Sequence, residues 1–320
     1  MRFGRLMVVL LVALQLGCAD RPAASVGGMS ILTDSSRLAV DGGSIWYRVT
    51  GTGTGTPVIL LHGGPGFASH YLKALEGLGD DRMVVRYDQL GSGKSDPTTD
   101  TTLFTVPHFV EQLDALRRHL GLEHMHLYGH SWGTMLAVEY YRAHPEAIVS
   151  LTLGSAALDS RAWERHARQL LATLPDSMIR AVEQREAERN YQASDYQAAL
   201  NEFYSRYVWR QPVAADLDSL MASFNPTIYE HMWGPSEFTV IGTLKDFDAK
   251  PLLPGMTVPV LYTVGEFDEA NPVTIQHFSS LTPGSRVVVI PGAAHITAWD
   301  NPTADVAAVR AFLREVDARR

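Results

Sequence analysis

Cysteine is almost missing from this chain: Cys18 is the only one, so no internal disulfide can form and a disulfide-stapled scaffold is excluded. Charge is sparse as well, at 19% of 320 residues, and no Lys/Arg-rich run offsets a formal net charge of -8. A polyanion such as nucleic acid is therefore an unsuitable partner. An acidic balance favours a cationic substrate, although net charge mostly reports solubility. No internal repeat is present, and the apolar stretch Leu6 to Leu16 is too short to span a bilayer comfortably. What the chain does have is 46% hydrophobic residues, enough for one large core with an inserted subdomain.

The first residues read as an export signal, with two arginines in Met1 to Arg5 and the apolar run to Leu16, followed by Gly17-Cys18. Leu14-Gln15-Leu16-Gly17-Cys18 resembles a bacterial lipoprotein signal, although Gln15 departs from the aliphatic residue usual at that place. Cleavage before Cys18 would leave that residue lipidated, and a polar tether then runs to about Met29. The expected location is outside the cytoplasm, on a bacterial membrane facing the periplasm or the exterior. Contact with the membrane is expected only through that lipid.

Beyond the tether, Ser30 to Val40 and Ser44 to Thr50 read as strands joined by the turn signal Asp41-Gly42-Gly43. Val58 to Leu61 is a short, wholly apolar run of the kind buried on both faces of a parallel sheet. Met83 to Tyr87, His124 to Tyr128, Ile148 to Leu153, Val258 to Val264 and Val287 to Ile290 repeat that signature. Helical periods alternate with them: Phe109, Leu113, Leu116 and Leu120 share one face, as do Val306, Val309, Leu313 and Val316. This alternation implies an α/β fold, a mostly parallel sheet covered on both sides. About a hundred residues between Leu153 and Val258 lack a buried-strand signature and read as helical, through Trp163, Ala167, Leu170 and Leu174 and through Asp195 to Val208. Loops at the C-terminal ends of parallel strands bind ligands, so this insertion is expected to cap the site. The expected division is a signal peptide at 1–17, a tether at 18–29, a core at 30–154 and 251–320, and a helical cap at 155–250.

Gly129-His130-Ser131-Trp132-Gly133 joins the strand ending at Tyr128 to a helical run from Thr134 to His144. Two glycines flanking a serine let the chain turn sharply, so that the hydroxyl projects above a sheet edge at a helix N-terminus: a nucleophile elbow. A serine hydroxyl needs a base that is itself oriented by a third group. Of twelve histidines, His295 alone lies beyond the last strand, in Pro291-Gly292-Ala293-Ala294-His295. The acid is expected after Val264, where Glu266, Asp268 and Glu269 compete and spacing does not decide among them; Asp268, after Gly265 and a spacer, is in the usual place. Glycines in His62-Gly63-Gly64-Pro65-Gly66 allow backbone N–H groups to approach an oxyanion, with Gly64 and Trp132 as the two donors.

These motifs converge on a family. Together with Tyr87-Asp88-Gln89-Leu90-Gly91-Ser92-Gly93, Gly234-Pro235-Ser236-Glu237-Phe238 and Trp299-Asp300-Asn301-Pro302, they give the chain a pattern that resembles the prolyl aminopeptidases (proline iminopeptidases) and the tricorn-interacting aminopeptidase, all α/β-hydrolases. The resemblance covers most of the chain after about residue 40. It implies Ser131, Asp268 and His295 as the triad, and Glu237 and Glu269 as carboxylates that hold the substrate's free α-amine, with Tyr229 assisting. It also implies a serine exopeptidase acting on short peptides or aminoacyl amides with a free N-terminal amine, with no cofactor and no metal. Leu90 stands where proline-selective members carry arginine, which argues against strict proline preference. The rival readings are an amino-acid amidase or esterase on the same scaffold and a non-catalytic surface binding protein.

Overall fold

The computed structural model describes residues 34–211 and 214–320. The leader, Cys18 and the tether lie outside these. Eight strands form one sheet: β1 (Asp34–Val40), β2 (Gly43–Thr50), β3 (Gly55–Leu61), β4 (Arg82–Asp88), β5 (Met125–His130), β6 (Ile148–Gly154), β7 (Val260–Gly265) and β8 (Arg286–Ile290). Their order is β1-β2-β4-β3-β5-β6-β7-β8, antiparallel at β1/β2 and β2/β4 and parallel elsewhere. The central strands carry apolar side chains on both faces because helices cover both. Val58, Ile59, Leu60 and Leu61 of β3 are fully buried, each contributing roughly 1.5–3 kcal/mol of transfer free energy.

The core helices are α1 (Val106–His119) and α2 (Trp132–Ala143); an inserted set comes after β6, namely α3 (Ser160–Leu171), α4 (Asp176–Glu188), α5 (Ser194–Tyr207), α6 (Ala214–Ala222) and α7 (Pro226–Met232). After β7 come α8 (Pro272–Leu281), α9 (Thr297–Asp300) and α10 (Pro302–Ala318). This is the α/β-hydrolase architecture, with the helical insertion that the missing strand signature anticipates. Amphipathic periodicity explains α3, which buries Trp163, Ala167 and Leu171 and begins where the Asp159 side chain accepts the Ala162 N–H at 2.9 Å.

Two expectations need correction. Val287 to Ile290 is not buried on both faces: β8 is the edge of the sheet and Val289 is 46% exposed. The apolar stripe of α10 is also incomplete as read, because Asp305 is fully buried in its first turn.

Strand register brings the functional loops together. Leu61 pairs with Gly129, Gly129 with Leu153, and Gly154 with Thr263, so the C-terminal ends of β3, β5, β6 and β7 lie side by side. The insertion is anchored to those ends: Asn225 N–H donates to the Gly66 carbonyl at 3.0 Å, and the Tyr207 and Val208 carbonyls accept the N–H groups of His295 and Ile296.

Candidate active site

The turn between β5 and α2 has almost no room. A Cβ at Gly129 would sit 2.2 Å from the Gly133 carbonyl oxygen, and one at Gly133 would sit 2.4 Å from that of Leu61. Glycine is thus required at both ends of the elbow. Ser131 between them has φ 55° and ψ -122°, a conformation rarely tolerated by a residue with a side chain and held here by the strand and helix on either side. It lines a small cavity with Gly63, Gly64, His295 and Glu237. Its hydroxyl has no hydrogen-bond partner among the described residues, so Ser131 and His295 share the cavity wall without a direct hydrogen bond.

Of the three carboxylates after β7, geometry selects one. Asp268 Oδ1 accepts from His295 Nδ1 at 2.9 Å and from the Ala270 N–H at 2.8 Å. Its Oδ2 accepts from the Ser155 hydroxyl at 2.6 Å and from the Gly265 N–H at 3.1 Å. Burial pushes the carboxyl upward, but His295 and these donors more than offset it, and the net shift is downward. An acid that stays ionised against Nδ1 leaves His295 Nε2 facing the cavity side. Glu266 instead accepts the Gly292 N–H on an exposed loop.

Glu269 has a different environment. It is fully buried, and neither carboxylate oxygen has a hydrogen-bond partner. Burial drives its pKa far up, and the charges of Glu237 and Asp268 add to the shift. Glu237 is also raised by burial, then drawn back by Tyr229, whose hydroxyl donates to Oε1 at 2.6 Å, and by His295 and the indoles of Trp163 and Trp233. Both indole N–H groups are buried without a hydrogen-bond partner of good geometry. The candidate amine-binding residues Glu237, Glu269 and Tyr229 are therefore neighbours, and the pair of acids has no cation between them among the described residues.

Gly64 lies in the cavity wall with φ 112°, and Trp132 is the first residue of α2, where an N–H has no intrahelical acceptor. Neither N–H is hydrogen-bonded among the described residues. The glycine before Gly64 is forced by packing, since a Cβ on Gly63 would sit 2.9 Å from that of Ser131. The Trp132 indole donates to Gln89 Oε1 at 2.9 Å, and Gln89 Nε2 donates to the His62 carbonyl, which ties the Asp88-Gln89 segment to the elbow. Leu90 points elsewhere: it is buried against the Gly42–Gly43 turn and does not line the cavity.

Four contributors were not marked by the sequence. Tyr71 accepts the Gly63 N–H and donates to His130, while Ser155 holds Asp268. Tyr204 lines the cavity, its phenol pushed up by burial and then by Glu237 and Glu269. Trp163 packs edge-on to the His295 ring at 5.3 Å between centroids. Tyr204 and Trp163 sit on amphipathic cap helices where an aromatic residue reads simply as core; Tyr71 and Ser155 have no sequence pattern at all. The Trp299-Asp300 segment is explained by structure: Asp300 accepts the N–H groups of Arg210, Gln211 and Ala294, fixing the loop that carries His295 to the cap.

The chain is similar to known proteins over most of its length. A model of the α/β hydrolase fold matches residues 56–302. A proline iminopeptidase of Heyndrickxia coagulans is 39% identical over 282 residues, covering 87% of this chain and 98% of that one. A proline iminopeptidase of Saccharolobus solfataricus is 31% identical over 297 residues, covering 90% and 95%. The crystal structure of a Mycobacterium smegmatis proline iminopeptidase superposes with a TM-score of 0.81 at 36% identity, covering 89% of this chain and 99% of that one. A haloalkane dehalogenase of Bradyrhizobium elkanii, at 21% identity and a TM-score of 0.69, shares the fold alone. Agreement at this identity over nearly the full length of both chains places the protein in the proline iminopeptidase family of α/β-hydrolases.

Proposed function

We propose that the protein is a serine exopeptidase that releases the N-terminal residue of short peptides or aminoacyl amides through an acyl-enzyme. The observation that carries this reading is Glu269, a fully buried carboxylate with both oxygens unpartnered beside Glu237. Burying a charge without a partner costs several kcal/mol, and two facing carboxylates repel. A substrate ammonium between them removes both penalties, so the pair selects a free amine.

With that amine on Glu237 and Glu269, the first carbonyl lies over Ser131. Ser131 Oγ attacks its carbon as His295 Nε2 takes the hydroxyl proton, and Asp268 holds the resulting imidazolium through Nδ1. The Gly64 and Trp132 N–H groups receive the oxyanion. His295 returns the proton to the departing amine as the C–N bond breaks. It then takes a proton from water, whose oxygen attacks the acyl carbon, and gives that proton to Ser131 Oγ as the ester bond breaks and the amino acid leaves. Relatives named for proline support an imino acid as one substrate.

A panel of aminoacyl amides and short peptides tests the assignment. Free N-terminal residue should appear, and Ser131→Ala should abolish both turnover and labelling by a serine-directed phosphonate. Labelling that survives in that variant, or no turnover of any member, would overturn it.

A further inference from the structure

The chain contains four lysines, and two of them, Lys73 and Lys94, line a single cleft of about 760 Å³. In a protein of net charge -8 this is an unusual concentration. The cleft shares a wall with the Ser131 cavity, since Tyr71 lines both, and Trp299 closes edge-on against Tyr71 with centroids 6.4 Å apart. Residues of β2, β4 and the cap segment around Asp216 to Ser223 also line it.

The charges in the cleft are not equally available. Glu76 engages Arg86 at 2.8 Å and Arg48 at 3.6 Å. Asp88 is filled by the N–H and hydroxyl of Ser69 and by the Lys94 N–H. Asp216 sits exposed on the cap side, and its carbonyl contacts His70 Nε2 at 3.1 Å. Lys73 and Lys94 are exposed and have no carboxylate partner among the described residues; the Lys94 ammonium rests on Trp46, 4.7 Å from the ring centroid. Two cations thus face solvent in a concave site that adjoins the Ser131 cavity at Tyr71.

The Ser131 cavity and the cleft adjoin at Tyr71, so a substrate whose first carbonyl is at Ser131 has a route for its leaving-group side toward the two lysines. We propose that the cleft binds a carboxylate carried on the leaving-group side of the substrate, so that short peptides with a free C-terminus or an acidic downstream residue are preferred over neutral amides. This rests on the exopeptidase reading above. It explains how one site takes both charges of a small zwitterionic peptide: the amine on the two glutamates and the carboxylate on the two lysines.

The test compares KM for di- and tripeptide free acids, the same peptides as C-terminal amides, and amides with glutamate at the second position. Exposed charge contacts of this kind alter binding by up to about 5-fold each, so the neutral amide should show a several-fold higher KM. Free acids alone preferred identifies the terminal carboxylate; glutamyl amides preferred as well identifies a side-chain carboxylate. The K73Q/K94Q double variant should bring the acid's KM to that of the amide. Raising the salt concentration should narrow the same ratio in the unaltered protein, because exposed charges are screened. Equal KM for all three classes overturns the carboxylate site alone, whereas no turnover of any overturns the exopeptidase reading with it.

Discussion

The Tyr71 hydroxyl accepts the Gly63 N–H at 2.6 Å and donates to His130 Nδ1 at 2.9 Å, while His130 Nε2–H donates to the His295 carbonyl at 2.8 Å. Burial, reinforced by His295, lowers the His130 pKa to about 3, so the imidazole stays neutral and keeps this tautomer at working pH. One chain of hydrogen bonds therefore links the candidate oxyanion loop, the elbow and the loop of the candidate base.

Tyr71→Phe leaves two buried polar groups unpaired, at about 1–3 kcal/mol each. The expected result is a melting temperature lower by several degrees and a kcat reduced by about 10-fold or more, with KM for amides changed much less. Thermal denaturation and steady-state kinetics on one preparation check it; unchanged kcat with a lowered melting temperature would reduce the chain to a structural role.

Ser155 reinforces the acid from the end of β6, donating to Asp268 while its own φ is 49°. Ser155→Ala removes one of four donors to that carboxylate. The expected effect is a kcat lowered by about 10-fold and an acid limb of the kcat profile displaced to higher pH, since Asp268 becomes easier to protonate. A pH–rate series on the variant decides the point.

The two adjacent acids should separate kinetically. Asp268→Asn should cost roughly 10⁴-fold in kcat by disturbing the His295 tautomer, whereas Glu269→Gln should mainly raise KM for free-amine substrates. Glu237 and Glu269 both have raised pKa values, so they hold protons as pH falls and lose their attraction for an ammonium. KM should therefore rise toward acid pH in the unaltered protein, and this acid-side rise should flatten in Glu269→Gln. The reverse assignment of kcat and KM effects would show the acids exchanged.

Asp305 predicts a stability profile. It is fully buried with both oxygens unpartnered, and burial, only partly opposed by Thr297, raises its pKa from 3.8 to about 7. Below about pH 4 it is protonated folded or unfolded and adds no pH dependence. Between about pH 4 and 7 the unfolded chain releases the proton while the folded one keeps it, so stability declines with rising pH, by of order 4 kcal/mol at most. Asp305→Asn should remove that decline, which denaturant titrations at pH 5 and pH 8 would read directly.

Most of the sheet was legible because buried parallel strands are short, apolar and β-branched, as in Val58 to Leu61. Gly129 and Gly133 were legible because the elbow admits nothing larger. The acid cluster was not resolved by spacing: only the hydrogen bonds to Asp268 distinguish it from Glu266 and the unpartnered Glu269. Tyr204 reads simply as a core aromatic of its helix, and Tyr71 and Ser155 could not be read, since neither carries a local pattern. The same is true of Asp305, whose burial results from how α10 docks rather than from its own neighbours in the chain. Leu90 shows the opposite case, a departure visible in sequence whose side chain the fold turns away from the cavity.

In the proposed function, Glu237 and Glu269 direct Ser131 to the carbonyl beside a free amine. The most direct test is kcat/KM for one good aminoacyl amide against its N-acetylated form. Acetylation removes the cation and leaves the two carboxylates facing each other unpaired, so the predicted preference for the free amine is at least about 100-fold. Equal turnover of the two forms would contradict it.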